Sequence, residues 1–364
     1  PAETGAVTIA MPQDVQAEVF DWPVELFRKR VWHVRRPVPE PAALQRAVAL
    51  IKAAKRPLII AGGGTIYAGA SEELRALATD TQAGKGAINF DHPGAVGGVG
   101  STGCDSGNHI ADKADLIIGV GTRYSDFTTA SKTQFKNPDV KFVNINVTPF
   151  DAAKESAEMV VADAREALAA LAEALADYHV EAAYSEEITA EKEAWLKATE
   201  RCYHLDHGPL PAQTEVFGAL NELMGEEDVV INAAGSMPGD LQALWQARSP
   251  LQYHVEYAFS CMGYEVPAAM GVKLARPEAE VVAIVGDGTY QMLPMELATV
   301  VQENIKVIYV LLQNYGFCSI GALSESRGSQ RFGTKYRRRG EGSHLADEQV
   351  IDGVDIAVNA RSWG

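Results

Sequence analysis

Two polar turns in the last third of the chain each follow a largely aliphatic run. Residues 281–285 lead into Gly286-Asp287-Gly288-Thr289, and residues 306–312 lead into Gln313-Asn314-Tyr315-Gly316. Asp287 offers a carboxylate and Asn314 an amide oxygen. With a backbone carbonyl, these are hard oxygen donors suited to an octahedral Mg²⁺ that keeps its other positions for phosphate oxygens. Gly286 and Gly288 lack a Cβ and let a bulky diphosphate approach the backbone, and the start of the following helix adds unpaired N–H groups. Asp-Gly alone is a common turn pair. A second oxygen donor closing the next strand is what gives the arrangement its weight.

For both turns to act together, the elements between them must bring them to one edge. A strand, one helix over residues 293–303 and a second strand form a βαβ unit, with parallel strands and a right-handed crossover. Both turns then lie at the carboxyl edge of the sheet, where open α/β sheets bind ligands. The same alternation runs through most of the chain: helices over residues 42–54, 71–79, 164–178 and 266–274, strands over 57–61, 115–120, 141–146 and 229–232. It predicts two doubly wound parallel α/β sheets. Residues 180–207 read as a polar helical connector and 235–239 as a loop. Residues 6–11 read as a strand without local partners, and the proline-rich stretch 20–41 as a linker. The expected organisation is 1–40 as the end of a preceding domain plus linker, 41–180 as a central Rossmann-like domain, 181–207 as connector, and 208–364 as a C-terminal domain that stops short.

Charge narrows the partners. With 48 acidic against 32 basic residues and a net charge of −16, the chain is a poor match for nucleic acid. Arg337-Arg338-Arg339 is a dense basic run and reads as a solvated loop. Cys104, Cys202, Cys261 and Cys318 are widely spaced without a CxxC pair, so neither zinc nor a disulfide framework is expected, and a reducing cytoplasm fits. No run approaches the roughly 18 apolar residues of a membrane span. Gly62-Gly63-Gly64 after a strand, with Gly119, Gly121 and Asp151, gives a dinucleotide-like impression, but Tyr67 breaks the G-x-G-x-x-G pattern. A structural role for this domain is expected. His92 and His109 read as solvated loop residues, and Cys104 has no evident base.

Gly-Asp-Gly, a gap and then Asn resembles the diphosphate signature of the thiamine-diphosphate (ThDP)-dependent enzymes. The resemblance implies ThDP and Mg²⁺ as cofactors, with Asp287, Asn314 and the Gly316 carbonyl as metal ligands. Gln313 stands where many members have an Asn. Cys261-Met262-Gly263-Tyr264-Glu265-Val266-Pro267-Ala268-Ala269 resembles the family's Met-Gly-x-Gly-x-Pro-Ala-Ala stretch, in which the Met wedges the cofactor into its bent form. Met262 fits that role, and Glu265 departs from the usual Gly. Gly235, Ser236 and Met237 match the position of the family's other phosphate loop. Ser260, Thr289 and Phe317 complete the cofactor-binding set with Gly286 and Gly288.

Residues 323–326 and 328–337, Gly263-Tyr264-Glu265 and residues 292–297 are similar to the branch of the family that opens a polyol dione ring in inositol catabolism. That likeness implies a hydrolase that cleaves a C–C bond and releases an open-chain 5-deoxy-glucuronate. Polar residues just after the metal strand would serve the substrate: Ser324, Glu325, Ser329, Gln330, Arg331, Thr334, Lys335 and Tyr336. It implies a homodimer or homotetramer with the site shared between subunits. The general acid/base glutamate would sit on a pyrimidine-binding domain upstream of Pro1, and no Glu here is assigned to it. The chain is expected to be a fragment, inactive by itself. Two other readings stay open: an acetolactate-synthase-like or decarboxylating lyase, and a non-catalytic nucleotide-binding module.

Overall fold

The computed structural model describes residues 8–74, 78–257, 259–329, 331, 333–339, 345–350 and 354–364. Residues 8–38 are exposed and carry only a short helix, α1 (Gln13–Ala17), and a single 3₁₀ turn, Val24–Phe27. The strand expected over residues 6–11 does not form over 8–11, and residues 6 and 7 lie outside the described residues.

The aliphatic runs then organise the first sheet. Helix α2 (Pro41–Ala53) starts with proline at its first position, where the missing N–H costs nothing. It is followed by β1 (Pro57–Ala61), α3 (Gly63–Ala68), β2 (Ala78–Asp80), β3 (Ala95–Gly98), α4 (Asp105–Lys113), β4 (Leu116–Val120), α5 (Asp126–Thr129), β5 (Lys141–Asn146), α6 (Pro149–Ala152), β6 (Glu158–Val161) and α7 (Ala164–Ala174). All six strands pair in parallel, in the order β3-β2-β1-β4-β5-β6, the strand order of dinucleotide folds. Parallel strands are covered on both faces, so their residues alternate between two cores rather than between core and water. Ile59, Ala61, Leu116, Ile118 and Val120 enter one core, and Leu58, Ile60 and Ile117 the other. The helix expected over 71–79 is not present. Residues 71–73 are turn, 78–80 are strand β2, and 75–77 lie outside the described residues. Helix α7 ends at Ala174, short of the expected Tyr178.

The connector is helical as expected, α8 (Ala182–Tyr203), and α9 (Gln213–Leu223) opens the second unit. There follow β7 (Val229–Asn232), α10 (Met237–Leu244), β8 (Tyr253–Val255), α11 (Glu265–Ala275), β9 (Val281–Gly286), α12 (Asp287–Met292), α13 (Glu296–Gln302), β10 (Ile308–Leu312), α14 (Cys318–Ser326), β11 (Arg337–Arg339), β12 (Leu345–Val350) and α15 (Ile356–Arg361). Strands β10-β9-β7-β8 form a second parallel sheet. Its residues alternate likewise: Val229, Ile231, Val281, Ala283 and Val285 on one side, Val230, Val282 and Ile284 on the other. Three expectations change. The loop over 235–239 is cut short, because Met237-Pro238-Gly239 is the first turn of α10, with proline near the helix start. The single helix between the two turns is two short ones, α12 and α13, interrupted at Pro294. The basic run is a strand rather than a loop, with β11 antiparallel to β12. Among the described residues no helix is long and apolar enough to cross a membrane.

Candidate active site

Strands β9 and β10 are adjacent and in register, Leu312 opposite Gly286, so the turns that follow them emerge side by side. Asp287 is buried. Its Oδ1 accepts from the Gly288 N–H at 2.9 Å and its Oδ2 from the Tyr315 N–H at 2.8 Å, which ties the two turns together. Burial pushes the Asp287 carboxyl above the usual range, and the amides of Gly288, Tyr315 and Gly316 pull it back. Tyr315 has φ +60° and Gly316 φ +153°, so the chain reverses sharply here. A Cβ on Gly316 would stand 2.2 Å from the Thr334 carbonyl oxygen, which restricts the position to glycine.

The Asn314 side-chain amide comes within 2.9 Å of the Gly316 carbonyl oxygen and 3.3 Å of Asp287 Oδ1, where its N–H donates to both. Turned over, the amide would offer its oxygen beside theirs, three hard donors for a cation. Ligands about 2.1 Å from Mg²⁺ sit about 3 Å apart on adjacent octahedral positions. The donor set and its spacing fit that ion. Among the described residues there is no cluster of three His, Cys, Asp or Glu side chains to hold a metal otherwise.

The surrounding loops close on these turns to different degrees. Met237 is buried in the core of the second unit, and its Cε is the nearest atom to a Cβ built on Gly286, at 3.6 Å. Its side chain is core, so only its backbone and that of Gly235 can face a ligand. Gly235 has φ +96° and open space about it. The exposed Ser236 hydroxyl donates to Gln213 Oε1 at 3.3 Å. Met262 is half-buried and outside the core clusters, and the turn it begins packs against Leu293, just past α12. Ser260 is exposed, with φ +50°. Thr289 is buried in α12, and the Phe317 ring lies on the backbone of Gly288.

Sequence reasoning noted Glu265 only as a departure from the usual Gly and gave it no role. It opens α11 and is fully buried, with Oε1 3.4 Å from the Ala234 N–H and Oε2 without a partner among the described residues. Burial pushes its carboxyl up to about 7, against the pull of the nearby amides of Ala234, Gly263 and Ala233. A Glu in a first helical turn ordinarily signals a solvated N-terminus, so only its departure from the small residue of related sequences marked it.

The segment after α14 returns to the metal turn. Gly316 and Lys335 form an antiparallel bridge, with Phe317 N–H donating to Thr334 O at 2.8 Å and Tyr336 N–H to Tyr315 O at 3.0 Å. Tyr336 accepts from Gln291 Nε2 at 2.9 Å and meets Phe317 edge-on. Some of the polar residues expected to face substrate serve each other instead. Arg331 pairs with Glu325, and buried Thr334 donates to the Arg331 carbonyl. Gln330 lies outside the described residues.

The glycines of the central sheet do other work. A Cβ on Gly62 would lie 2.4 Å from Gly121 O and one on Gly64 2.7 Å from Gly121 Cα, and Gly64 N–H donates to Gly121 O. The loops after β1 and β4 thus close on each other backbone to backbone. Asp151 is buried and paired with Lys154 at 2.8 Å. His109 is exposed beside Glu191, and His92 Nδ1 accepts from Gly94 N–H.

Residues 44–171 match the family model of the thiamine pyrophosphate enzyme central domain, and residues 233–364 that of the C-terminal TPP binding domain. The whole chain is 44% identical to a 3D-(3,5/4)-trihydroxycyclohexane-1,2-dione hydrolase of Bacillus cereus (strain AH820) and to one of Bacillus anthracis (strain CDC 684 / NRRL 3495). It is likewise 44% identical to the enzyme of that name from Bacillus thuringiensis (strain Al Hakam). Each alignment covers 100% of this chain and 61% of the relative, so the chain spans about three fifths of the length of these curated relatives.

Proposed function

The chain belongs to the thiamine pyrophosphate enzyme family, carrying its central and C-terminal cofactor-binding domains, and from that premise we propose that the full-length protein hydrolyses a C–C bond of trihydroxycyclohexane-1,2-dione. The observation that carries the reading is the meeting of the Asp287 carboxylate, the Asn314 amide and the Gly316 carbonyl at the carboxyl edge of the second sheet. These three would hold Mg²⁺, and the open Gly286 backbone would admit the diphosphate, Gly288 being covered by the Phe317 ring. ThDP, when bound, supplies the electron sink that lets a bond beside a carbonyl break.

The rest falls to the chain. Gly235 and Ser236 would border the diphosphate from the β7 side, and Met262 would support the cofactor from the turn before α11. The return of Thr334–Tyr336 onto the metal turn sets Lys335 and Tyr336 beside it, with Phe317 and Tyr336 forming an aromatic wall. A ring with three hydroxyls and two carbonyls needs donors and acceptors of this kind. A site built on them rejects a smaller, less polar keto acid, which would leave them unpaired. The names of the relatives support the same substrate. We assign the first forty residues to the end of a pyrimidine-binding domain and its linker, the working enzyme to a homodimer or homotetramer of the cytoplasm, and the acid/base glutamate to the pyrimidine-binding domain.

Steady-state assay of the full-length protein tests the proposal. Ring opening of the dione, without acetolactate from pyruvate, is the expected result. Efficient acetolactate formation with no turnover of the dione overturns it.

A further inference from the structure

The central sheet has the strand order of a nucleotide-binding fold, yet its carboxyl edge is already engaged. The glycine loop after β1 is closed by Gly121. Asp80 ends β2, the place where dinucleotide folds keep the acid that binds ribose, but it is buried and pairs with buried Lys85 at 3.8 Å. A small cavity of about 10 Å³ beside them has room for one water. What occupies this edge is α10 of the second unit. Gln242 is 1% exposed; its Nε2 donates to Val99 O at 3.1 Å and its Oε1 accepts from Thr102 Oγ1.

The last turn of a helix leaves carbonyls without intrahelical donors. In α10 three of these are met by side chains from elsewhere. Lys85 Nζ donates to Gln242 O at 2.9 Å, Trp195 Nε1 to Ala243 O at 2.7 Å and Tyr203 Oη to Leu244 O at 2.7 Å. The Lys85 cation also opposes the negative end of the helix dipole, and it lies over the Trp195 ring at 5.5 Å. Lys85 comes from the central sheet's edge and the two aromatics from α8. The opposite end of α10 is its start at Met237, just after Gly235-Ser236, and Met237 Cε stands 3.6 Å from where a Cβ on Gly286 would lie.

We propose that the carboxyl edge of the central sheet is a seat for α10, and that Lys85, Trp195 and Tyr203 are positioning residues that set the Gly235–Met237 loop for the diphosphate. This rests on the ThDP reading above. A central domain built this way contributes to cofactor affinity without binding a nucleotide.

Calorimetric titration of the full-length protein with ThDP at saturating Mg²⁺ tests it. Lys85→Met is expected to raise Kd about tenfold, and Tyr203→Phe about threefold, the loss of a charged and of a neutral hydrogen bond respectively. Leu171→Ala, in the central core away from α10, should lower the melting temperature and leave Kd unchanged. Should Lys85→Met fail to fold, Tyr203→Phe decides alone. Wild-type Kd in the folded variants, or an equal rise in Leu171→Ala, overturns the seat. An Asp287→Ala variant that binds ThDP at wild-type affinity overturns the diphosphate reading and the seat with it. Weak binding by Asp287→Ala beside unchanged Lys85→Met and Tyr203→Phe sinks the seat only.

Discussion

In the six-stranded sheet a Cβ on Gly62 would meet the Gly121 carbonyl oxygen at 2.4 Å; in the four-stranded sheet a Cβ on Gly286, also at the carboxyl end of a strand, would meet nothing nearer than Met237 Cε at 3.6 Å. The same residue type therefore does opposite things at the same kind of edge. In the first sheet glycine lets two loops pack backbone to backbone, which seals the crevice beside β1 and β4. In the second it keeps the backbone bare and the space open. Buried acids differ in the same way. Asp80 is matched by a cation, whereas Asp287 is matched by backbone amide hydrogens and the Asn314 side-chain amide. A Gly-rich turn after a parallel strand marks a ligand site only where its neighbours leave room.

The contrast can be broken most severely at Asp287. Asp287→Ala in the full-length protein should abolish Mg²⁺-dependent ThDP binding; unchanged affinity by calorimetry would remove the metal assignment. A paired glycine test comes next. Gly62→Ala adds a methyl against fixed backbone and should cost about 3 kcal/mol or more in a denaturant melt. Gly286→Ala should cost less than about 1 kcal/mol there while weakening ThDP binding, since its extended φ of −76° suits alanine. Equal destabilisation by the two would erase the distinction between a sealed and an open edge. Met262→Ala should leave ThDP bound and slow turnover by about 100-fold, the scale of a lost reactive geometry; full kcat would make Met262 mere packing.

The smallest effect concerns Glu265. Its carboxyl titrates near 4.5 when unfolded and near 7 when folded, so the folded state keeps a proton that the unfolded state has lost in between. Stability from this group is whole below about pH 4.5 and is lost as pH rises through about 7. Melting temperature should therefore fall by a few degrees between about pH 5 and about pH 8. Glu265→Gln should flatten that fall, and a variant with the same pH slope would place the titration elsewhere.

The strands before the two turns were legible because each is a short, mostly aliphatic run; β9 is buried, and β10 is the partly exposed edge strand beside it. Asp287 and Asn314 then had one edge to share. Strands β2 and β3 were not legible: Ala78-Thr79-Asp80 and Ala95-Val96-Gly97-Gly98 are short and made of small or polar residues, and their identity comes from pairing, β2 with β1 and β3 with β2. The start of α10 was hidden by Pro238 and Gly239, two residues that usually mark a loop yet fit a first helical turn. Contacts such as Lys85 with Gln242 span 157 positions and leave no trace in local pattern. Glu265 was hidden because an acid in a first helical turn is ordinarily solvated.

The bridge of Gly316 to Lys335 closes a loop whose two ends are fixed and whose middle is not part of the metal turn. Lengthening such a loop carries a cost that grows only with the logarithm of its length. Length changes between Phe317 and Thr334 should therefore cost little at the Gly316 turn. The bridge, not the loop, sets where Lys335 and Tyr336 stand beside that turn.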